Sequence, residues 1–199
     1  MTEFVAGIIL AAGASRRMER PKPLLTWRGE PFIRRIARTA LAAGLWPVVI
    51  VTGAHAEEVR AAVADLPVEV SYNPDWEAGQ STSVRAGLSS LPPETGAAIF
   101  LLADQPHIPA ALVEALVAKH AQTGAPLVAP LVGERRGNPV LFDRAAFPEL
   151  MSLRGDVGGR QLFSRHRADY VPWHDSSPLL DIDTPEDYEL LAGLLEQKP

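Results

Sequence analysis

Short apolar runs alternate with amphipathic segments along almost the whole chain, and that alternation confines the fold to a narrow class. Residues 5–10 and 47–51 are brief and rich in aliphatic and β-branched side chains, as expected of strands buried on both faces. Residues 68–72 form a shorter run, and 97–103 is the most apolar of all. Between these runs the apolar positions recur at helical spacing: Ile33, Ile36, Ala37, Ala40 and Leu41 in one segment, Val59, Ala62, Val63 and Leu66 in the next. Pro31 suits the first position of the first helix and Gly44 its end. Ser81, Thr82 and Ser83 offer hydroxyls to the free amides of a helix over about 80–91, and 110–121 forms another helix. Strand and helix in turn predict an α/β fold, a mostly parallel sheet with helices on both faces.

The second half is less regular. Residues 127–132 and 139–142 flank Gly133-Glu134-Arg135-Arg136-Gly137-Asn138, which predicts a hairpin with a charged tip. Residues 154–160 form a polar loop before a short helix, and 170–173 a last strand. Asp181-Ile182-Asp183-Thr184-Pro185-Glu186-Asp187 marks a strand end and a helix start, the helix running to about residue 197. With no repeat or linker, the 199 residues are expected as one domain, and 127–175 as a lid or a platform for a second substrate.

Composition excludes several classes. The chain has no cysteine, so disulfides, thiolate metal sites and a cysteine nucleophile are absent. The first nine residues carry Glu3 and no basic region, unlike a signal peptide, and no apolar run approaches the ~18 residues of a membrane span. A net charge of -5, with no basic tract beyond one loop, speaks against nucleic acid and for a small ligand in the cytoplasm.

That one loop opposes the overall sign. The run ending at Leu10 continues through Ala11, Ala12 and Gly13 and then places Arg16, Arg17, Arg20 and Lys22 within seven positions. A glycine leaving a buried strand lets the backbone approach a ligand, and the cations beyond it suit phosphate oxygens. Two further polar features stand at strand ends that a parallel sheet brings to one edge: Asp104, and the pair Asp181 and Asp183. A basic loop with carboxylates from separate strands suits a nucleoside triphosphate with Mg²⁺, which takes a few carboxylates and completes its octahedron with phosphates and water. Each acid also has a plain structural role available, an Asx turn for Asp104 and a helix cap for Asp183. There is no G-x-x-x-x-G-K-[ST], no G-x-G-x-x-G after the first strand and no G-x-S-x-G. The five histidines lack metal spacing, and His107 is expected as a turn residue. Arg34, Arg35 and Arg38 fall off the apolar face of their helix and are expected as solvated. No base is needed if the attacking group is itself a phosphate, mostly dianionic at pH 7 with a second pKa of about 6.

On these residues the chain resembles the MobA-like nucleotidyltransferase superfamily, and within it the molybdenum cofactor cytidylyltransferase (MocA-like) group. The matching pieces run from Leu10-Ala11-Ala12-Gly13-Ala14-Ser15-Arg16-Arg17-Met18 and Lys22-Pro23-Leu24-Leu25 through Asn73-Pro74, Gly79-Gln80-Ser81-Thr82-Ser83-Val84 and Ala103-Asp104-Gln105-Pro106. They continue with Gly137-Asn138-Pro139-Val140-Leu141-Phe142, Gly155-Asp156-Val157-Gly158-Gly159-Arg160 and Asp181-Ile182-Asp183-Thr184-Pro185-Glu186-Asp187-Tyr188, covering nearly the whole chain. The first piece is shared by many nucleotidyltransferases. The Ala11-Ala12-Gly13 form, Pro23-Leu24-Leu25 and the Asp-Ile-Asp-Thr-Pro ending point to the cytidylyl branch, since the guanylyl branch typically has Leu-Ala-Gly-Gly and Asn-x-Asn-Thr-Pro.

The resemblance implies a Rossmann-like three-layer sandwich of the nucleotide-diphospho transferase type, with residues 1–110 binding nucleotide and about 127–175 binding the acceptor. It implies transfer of CMP from CTP to molybdenum-bearing molybdopterin with release of pyrophosphate. Gly13, Arg17 and Lys22 would hold the triphosphate, Leu10, Ala11 and Ala12 would line the base pocket near Ser81 and Ser83, and Arg17, Lys22 and Asp104 would form the catalytic set. Asp104 and Asp183 would hold Mg²⁺, with Asp181 second in line to Asp183. Asn138, Gly155, Asp156 and Gly158 would face the pterin, and a molybdoenzyme or its chaperone is admitted as recipient of the product. Ser15 departs from the glycine that many relatives carry there. Two alternatives stay open: transfer to a sugar or polyol phosphate, and a non-catalytic carrier of nucleotide or cofactor.

Overall fold

The structure is a computed structural model that describes residues 4–15, 18 and 20–193, residues 192 and 193 by backbone alone. In chain order it holds β1 (Val5–Ala11), β2 (Thr26–Trp27), β3 (Glu30–Pro31), α1 (Phe32–Ala42), β4 (Val48–Thr52), α2 (Ala56–Ala62), β5 (Glu69–Tyr72), α3 (Gln80–Ser89), β6 (Ala97–Leu102) and α4 (Ala110–Thr123). It continues with β7 (Leu127–Val132), β8 (Arg135–Arg136), β9 (Val140–Asp143), α5 (Phe147–Ser152), β10 (Ala168–Pro172) and α6 (Pro185–Gly193). Pro31 proves to be the residue before α1, so the expected helix starts one position later. The C-terminal helix is described to residue 193, and the rest of its expected length lies outside the described residues.

The main sheet has the order β10-β7-β9-β6-β1-β4-β5, with β8 paired to β7. β1 is central and pairs in parallel with both β4 and β6. Side chains alternate across it by the two-residue period of a strand. Ile9 and Ala11 pack with Ile33, Ile36 and Ala40 of α1, Val59 of α2 and Leu112 and Leu116 of α4. Ala6 and Ile8 pack on the opposite face with Val84 and Leu88 of α3 and Leu150 of α5. The sheet thus carries helices on both faces, as the alternation predicts, and each fully buried aliphatic side chain contributes about 1.5–3 kcal/mol.

Two strands break the parallel order, β8 (against β7) and β9, and the second matters for the site. β9 lies between β6 and β7, antiparallel to both, with Phe100 opposite Val140 and Ala97 opposite Asp143. Its first residue therefore comes to the edge where β6 ends. Arg136, Gly137 and Asn138, just before β9, are delivered to the carboxyl edge of the parallel strands. The hairpin expected over 127–142 forms, but its strands are built into the main sheet together with β10. Of residues 127–175, those in β7, β8, β9 and β10 thus belong to the main sheet, and residues 144–164 form short helical segments and loops outside it.

The loop after β1 is held down from the other side. β2 and β3 form a small hairpin, and α6 packs against it through Leu25, Phe32, Ile182 and Leu191, with the Tyr188 hydroxyl donating to the carbonyl of Thr26 at 2.7 Å. The arginine row of α1 departs from its solvated expectation. Arg34 pairs with Asp65 and Glu30, and Arg35 lies 4.4 Å over the Trp27 ring and 3.6 Å from Glu30, its pKa lowered chiefly by burial. Arg38 alone stays mostly in water. Among the described residues no helix is long and apolar enough to cross a membrane.

Candidate active site

A cleft of about 1290 Å³ opens at the carboxyl ends of β1 and β6, where a doubly wound sheet presents its loops. Its lining includes the loop after β1, Lys22, Asp104, Asp181 and Asp183. Asp104 follows β6, and its carbonyl accepts from the Ile182 amide at 3.1 Å, which draws the 181–183 segment onto the strand tip. The Lys22 ammonium pairs with the Asp183 carboxylate and lies 3.8 Å from Asp104 Oδ2. Asp181 accepts from the Gln105 side-chain amide at 2.8 Å. Two of the three acids thus share one ammonium.

Burial and crowding raise the pKa of two of the three acids. Burial first, then the neighbouring Asp181, pushes the Asp104 pKa up to about 6, against the opposing pull of Lys22. Asp181 is also raised, by burial and then by Asp183. Oδ1 of Asp104 is buried and accepts no hydrogen bond. A buried carboxylate oxygen without a donor is costly unless something outside the chain supplies a positive partner. His107 sits close by as the expected turn residue. Its Nε2 is 3.0 Å from the Ser177 carbonyl, and burial lowers its pKa.

Two described residues of the loop, Ser15 and Gly13, differ in what holds them. Ser15 adopts φ +52, a left-handed conformation costing a residue with a Cβ about 1 kcal/mol. Its hydroxyl accepts from the Lys22 amide at 2.8 Å and closes the loop beneath the ammonium. Gly13 is different. A methyl group placed on it would meet nothing within 4 Å, so neither packing nor strain demands a glycine there. Its value is the free space it leaves in the cleft. Gly13→Ala is therefore expected to leave the melting temperature within the reach of about 0.5 kcal/mol, yet raise the KM for nucleotide about tenfold. An unchanged KM in steady-state assays would remove Gly13 from the phosphate path.

Leu10, Ala11 and Ala12 line the cleft, and so does Ser83. Asn73 is buried and donates through Nδ2 to the Ser83 hydroxyl at 3.0 Å and to Thr82 at 2.8 Å. Ser81 is placed otherwise: it is fully buried outside the cleft lining, with its hydroxyl 3.5 Å from Arg85. Of the residues expected to face the acceptor, Asn138, Asp156 and Gly158 line the cleft, whereas Gly155 does not. The Gly155 carbonyl instead accepts from the Ser81 amide at 3.2 Å, and Asp156 Oδ1 accepts from the Gln80 amide at 3.3 Å. This clamp brings residues 155–156 against Gly79, whose φ is +106 and whose missing Cβ would lie 2.5 Å from the Gly155 backbone. Arg17 lies outside the described residues.

Sequence reasoning missed Trp76, Gln105, Arg136 and Phe163. Arg136 was placed on a hairpin tip, and only the insertion of β9 turns it into the cleft. Gln105 carried a signal, since it adjoins Asp104, but its partner Asp181 is far along the chain. Among the described residues no three Asp, Glu or His side chains stand as a ready metal cage. The donor set is oxygen only, with the orphaned Asp104 Oδ1 in it, which fits a hard divalent ion that takes its remaining ligands from phosphates and water.

A family model described as the MobA-like NTP transferase domain matches residues 7–170. The chain is 35% identical to nicotine blue oxidoreductase of Paenarthrobacter nicotinovorans, over 94% of this chain and 96% of that protein. It is 32% identical to molybdenum cofactor guanylyltransferase of Rhodobacter capsulatus, over 97% of each. The crystal structure of Rv0371c from Mycobacterium tuberculosis H37Rv in complex with manganese superposes with a TM-score of 0.84 at 28% identity, covering 97% of this chain and 100% of that one.

Proposed function

This chain belongs to the MobA-like NTP transferase family, and we propose that it transfers CMP from CTP to molybdopterin carrying molybdenum. The products are the cytosine dinucleotide form of the cofactor and pyrophosphate. One observation carries the reading: the Lys22 ammonium is set between Asp183 and Asp104 beside the free space at Gly13. A carrier that merely docks a nucleotide needs no such cluster of acids around a lysine. The relatives bear divergent names, an oxidoreductase and a guanylyltransferase, so the choice of chemistry rests on the site.

The reaction forms a bond from an acceptor phosphate oxygen to the α-phosphorus, while the bond from that phosphorus to the bridging oxygen breaks and pyrophosphate leaves with the electron pair. The attacking phosphate is already mostly deprotonated at neutral pH, which matches a cleft with no histidine among its described lining residues. Asp104 and Asp183 would hold Mg²⁺ or Mn²⁺, and the ion would neutralise charge on the phosphate oxygens when bound. Lys22 orients the triphosphate in the loop after β1, and Arg17 adds a second cation. Ser83 accepts from Asn73, which leaves its proton for an acceptor on the base, and cytosine offers two, N3 and O2.

The test is a pyrophosphate-release screen of CTP, GTP and ATP against molybdopterin, a sugar phosphate and a polyol phosphate, with Mg²⁺ and with EDTA. The expected result is release with CTP and molybdopterin together and none with EDTA. Release with GTP instead contradicts the base assignment, and release with a sugar or polyol phosphate shifts the acceptor.

A further inference from the structure

The far half of the cleft has a charge arrangement that the nucleotide does not account for. Among the described residues that line the cleft, the cations are Lys22, Arg136 and Arg160. Lys22 is engaged by two carboxylates. Arg136 pairs with no carboxylate and lies flat on an aromatic ring, its guanidinium carbon 3.6 Å from the Phe163 centroid. That ring meets Phe142 edge to face at 6.5 Å, and Phe142 meets Phe100 in the same way at 5.7 Å. The three rings form a rigid row across the sheet from β6 to the guanidinium.

The backbone beneath Arg136 is equally fixed. The Gly137 amide donates to the Pro130 carbonyl at 3.1 Å and the Asn138 amide to the Pro178 carbonyl at 2.9 Å. A Cβ on Gly137 would stand 2.3 Å from the Pro178 oxygen, so the chain passes closely between two neighbours. A guanidinium stacked on a ring keeps its N–H edge free and loses little further freedom when it binds a planar pair of oxygens. An unpaired, pre-oriented cation in a cleft is a receptor for an anion.

We propose that Arg136, seated on Phe163, holds the phosphate of the acceptor in the half of the cleft opposite Lys22. The inference rests on the nucleotidyl-transfer reading and deepens it by naming the side chain that positions the attacking group. Arg160, exposed and without an aromatic seat, is secondary. The acceptor class that follows is a phosphate monoester with an apolar or planar body able to lie on the ring row.

The test uses inorganic phosphate as probe on the full chain, with and without saturating α,β-methylene CTP to fill the loop after β1. The Arg136 Nε–H resonance is followed by ¹⁵N NMR, and binding is measured by calorimetry on wild type, Arg136→Met, Arg136→Lys and Phe163→Leu. The expected result is a saturable shift of the Arg136 signal with the analogue bound, phosphate affinity at least tenfold weaker in Arg136→Met and less so in Phe163→Leu, and analogue affinity within twofold throughout. Equal melting temperatures show that the variants fold. An unmoved Arg136 signal overturns the proposal, and so does a tenfold loss of analogue affinity in Arg136→Met, which would give the guanidinium to the nucleotide. If wild type fails to bind the CTP analogue while Arg136 still responds to phosphate, the nucleotide assignment falls and the anion site stands.

Discussion

Asp104→Asn is expected to abolish transfer, by three orders of magnitude or more in kcat/KM, while making the metal-free chain more stable at neutral pH. The two effects have one cause. Asp104 is held at a strand tip beside two other acids, with one oxygen buried and unpartnered, and its pKa is raised from 3.8 to about 6. A carboxyl whose folded pKa lies above its unfolded value favours folding fully below the unfolded pKa, and that contribution is lost as pH rises through the folded one. The window runs from about pH 4 to about pH 6. Above it the ionised group opposes folding by on the order of 2 kcal/mol, allowing for the quarter of the side chain that faces water. The asparagine removes that penalty together with the metal ligand. Urea melts of both proteins without metal should coincide near pH 4 and separate above pH 6, the variant being the more stable. Coincidence at all pH values would mean that the acids do not crowd one another. Full turnover by Asp104→Asn would take the residue out of catalysis.

Lys22→Ala is expected to lower kcat/KM by about two to three orders of magnitude, roughly 3–4 kcal/mol, as for loss of a charged group aimed at developing phosphate charge. It also removes the one ammonium that Asp104 and Asp183 share. Lys22 is the largest influence that lowers the Asp104 pKa, so its loss should move the acid limb of the pH–rate profile upward from about 6. Lys22→Arg should recover part of the rate and restore the limb, because charge is regained with altered geometry. A rate loss with no displacement of the limb would assign Lys22 to the nucleotide alone.

Most of the parallel sheet was legible because its strands are short, apolar and separated by helices of clear period. Asp104 was legible as a candidate because it stands where an apolar run stops, the place at which a parallel sheet exposes its loops. The strand end expected at Asp181 and Asp183 is absent, and their segment is irregular backbone drawn to the tip of β6 by the hydrogen bond from the Ile182 amide to the Asp104 carbonyl. Strand partnership was hidden. Nothing in the local pattern of residues 139–142 says that they insert between β6 and β7, so the segment before them was taken for a tip, and Arg136 with it. The same limit explains Ser81. Its hydroxyl lies one position along the helix from the residues that meet the cleft, a difference of rotation that the composition of 80–83 does not carry. Asp181 was ranked behind Asp183 on pattern, yet among the acids it has the larger effect on Asp104, because Gln105 holds it there.

The central claim is that the α-phosphorus of a cytosine nucleotide is the atom transferred. Incubation with Mg²⁺, molybdopterin and CTP labelled with ³²P at either the α or the γ position tests it directly. The account predicts α label in a cytosine dinucleotide of the pterin and γ label in pyrophosphate. Label from the γ position in the pterin, or α label that stays in CTP and its hydrolysis products, would contradict it.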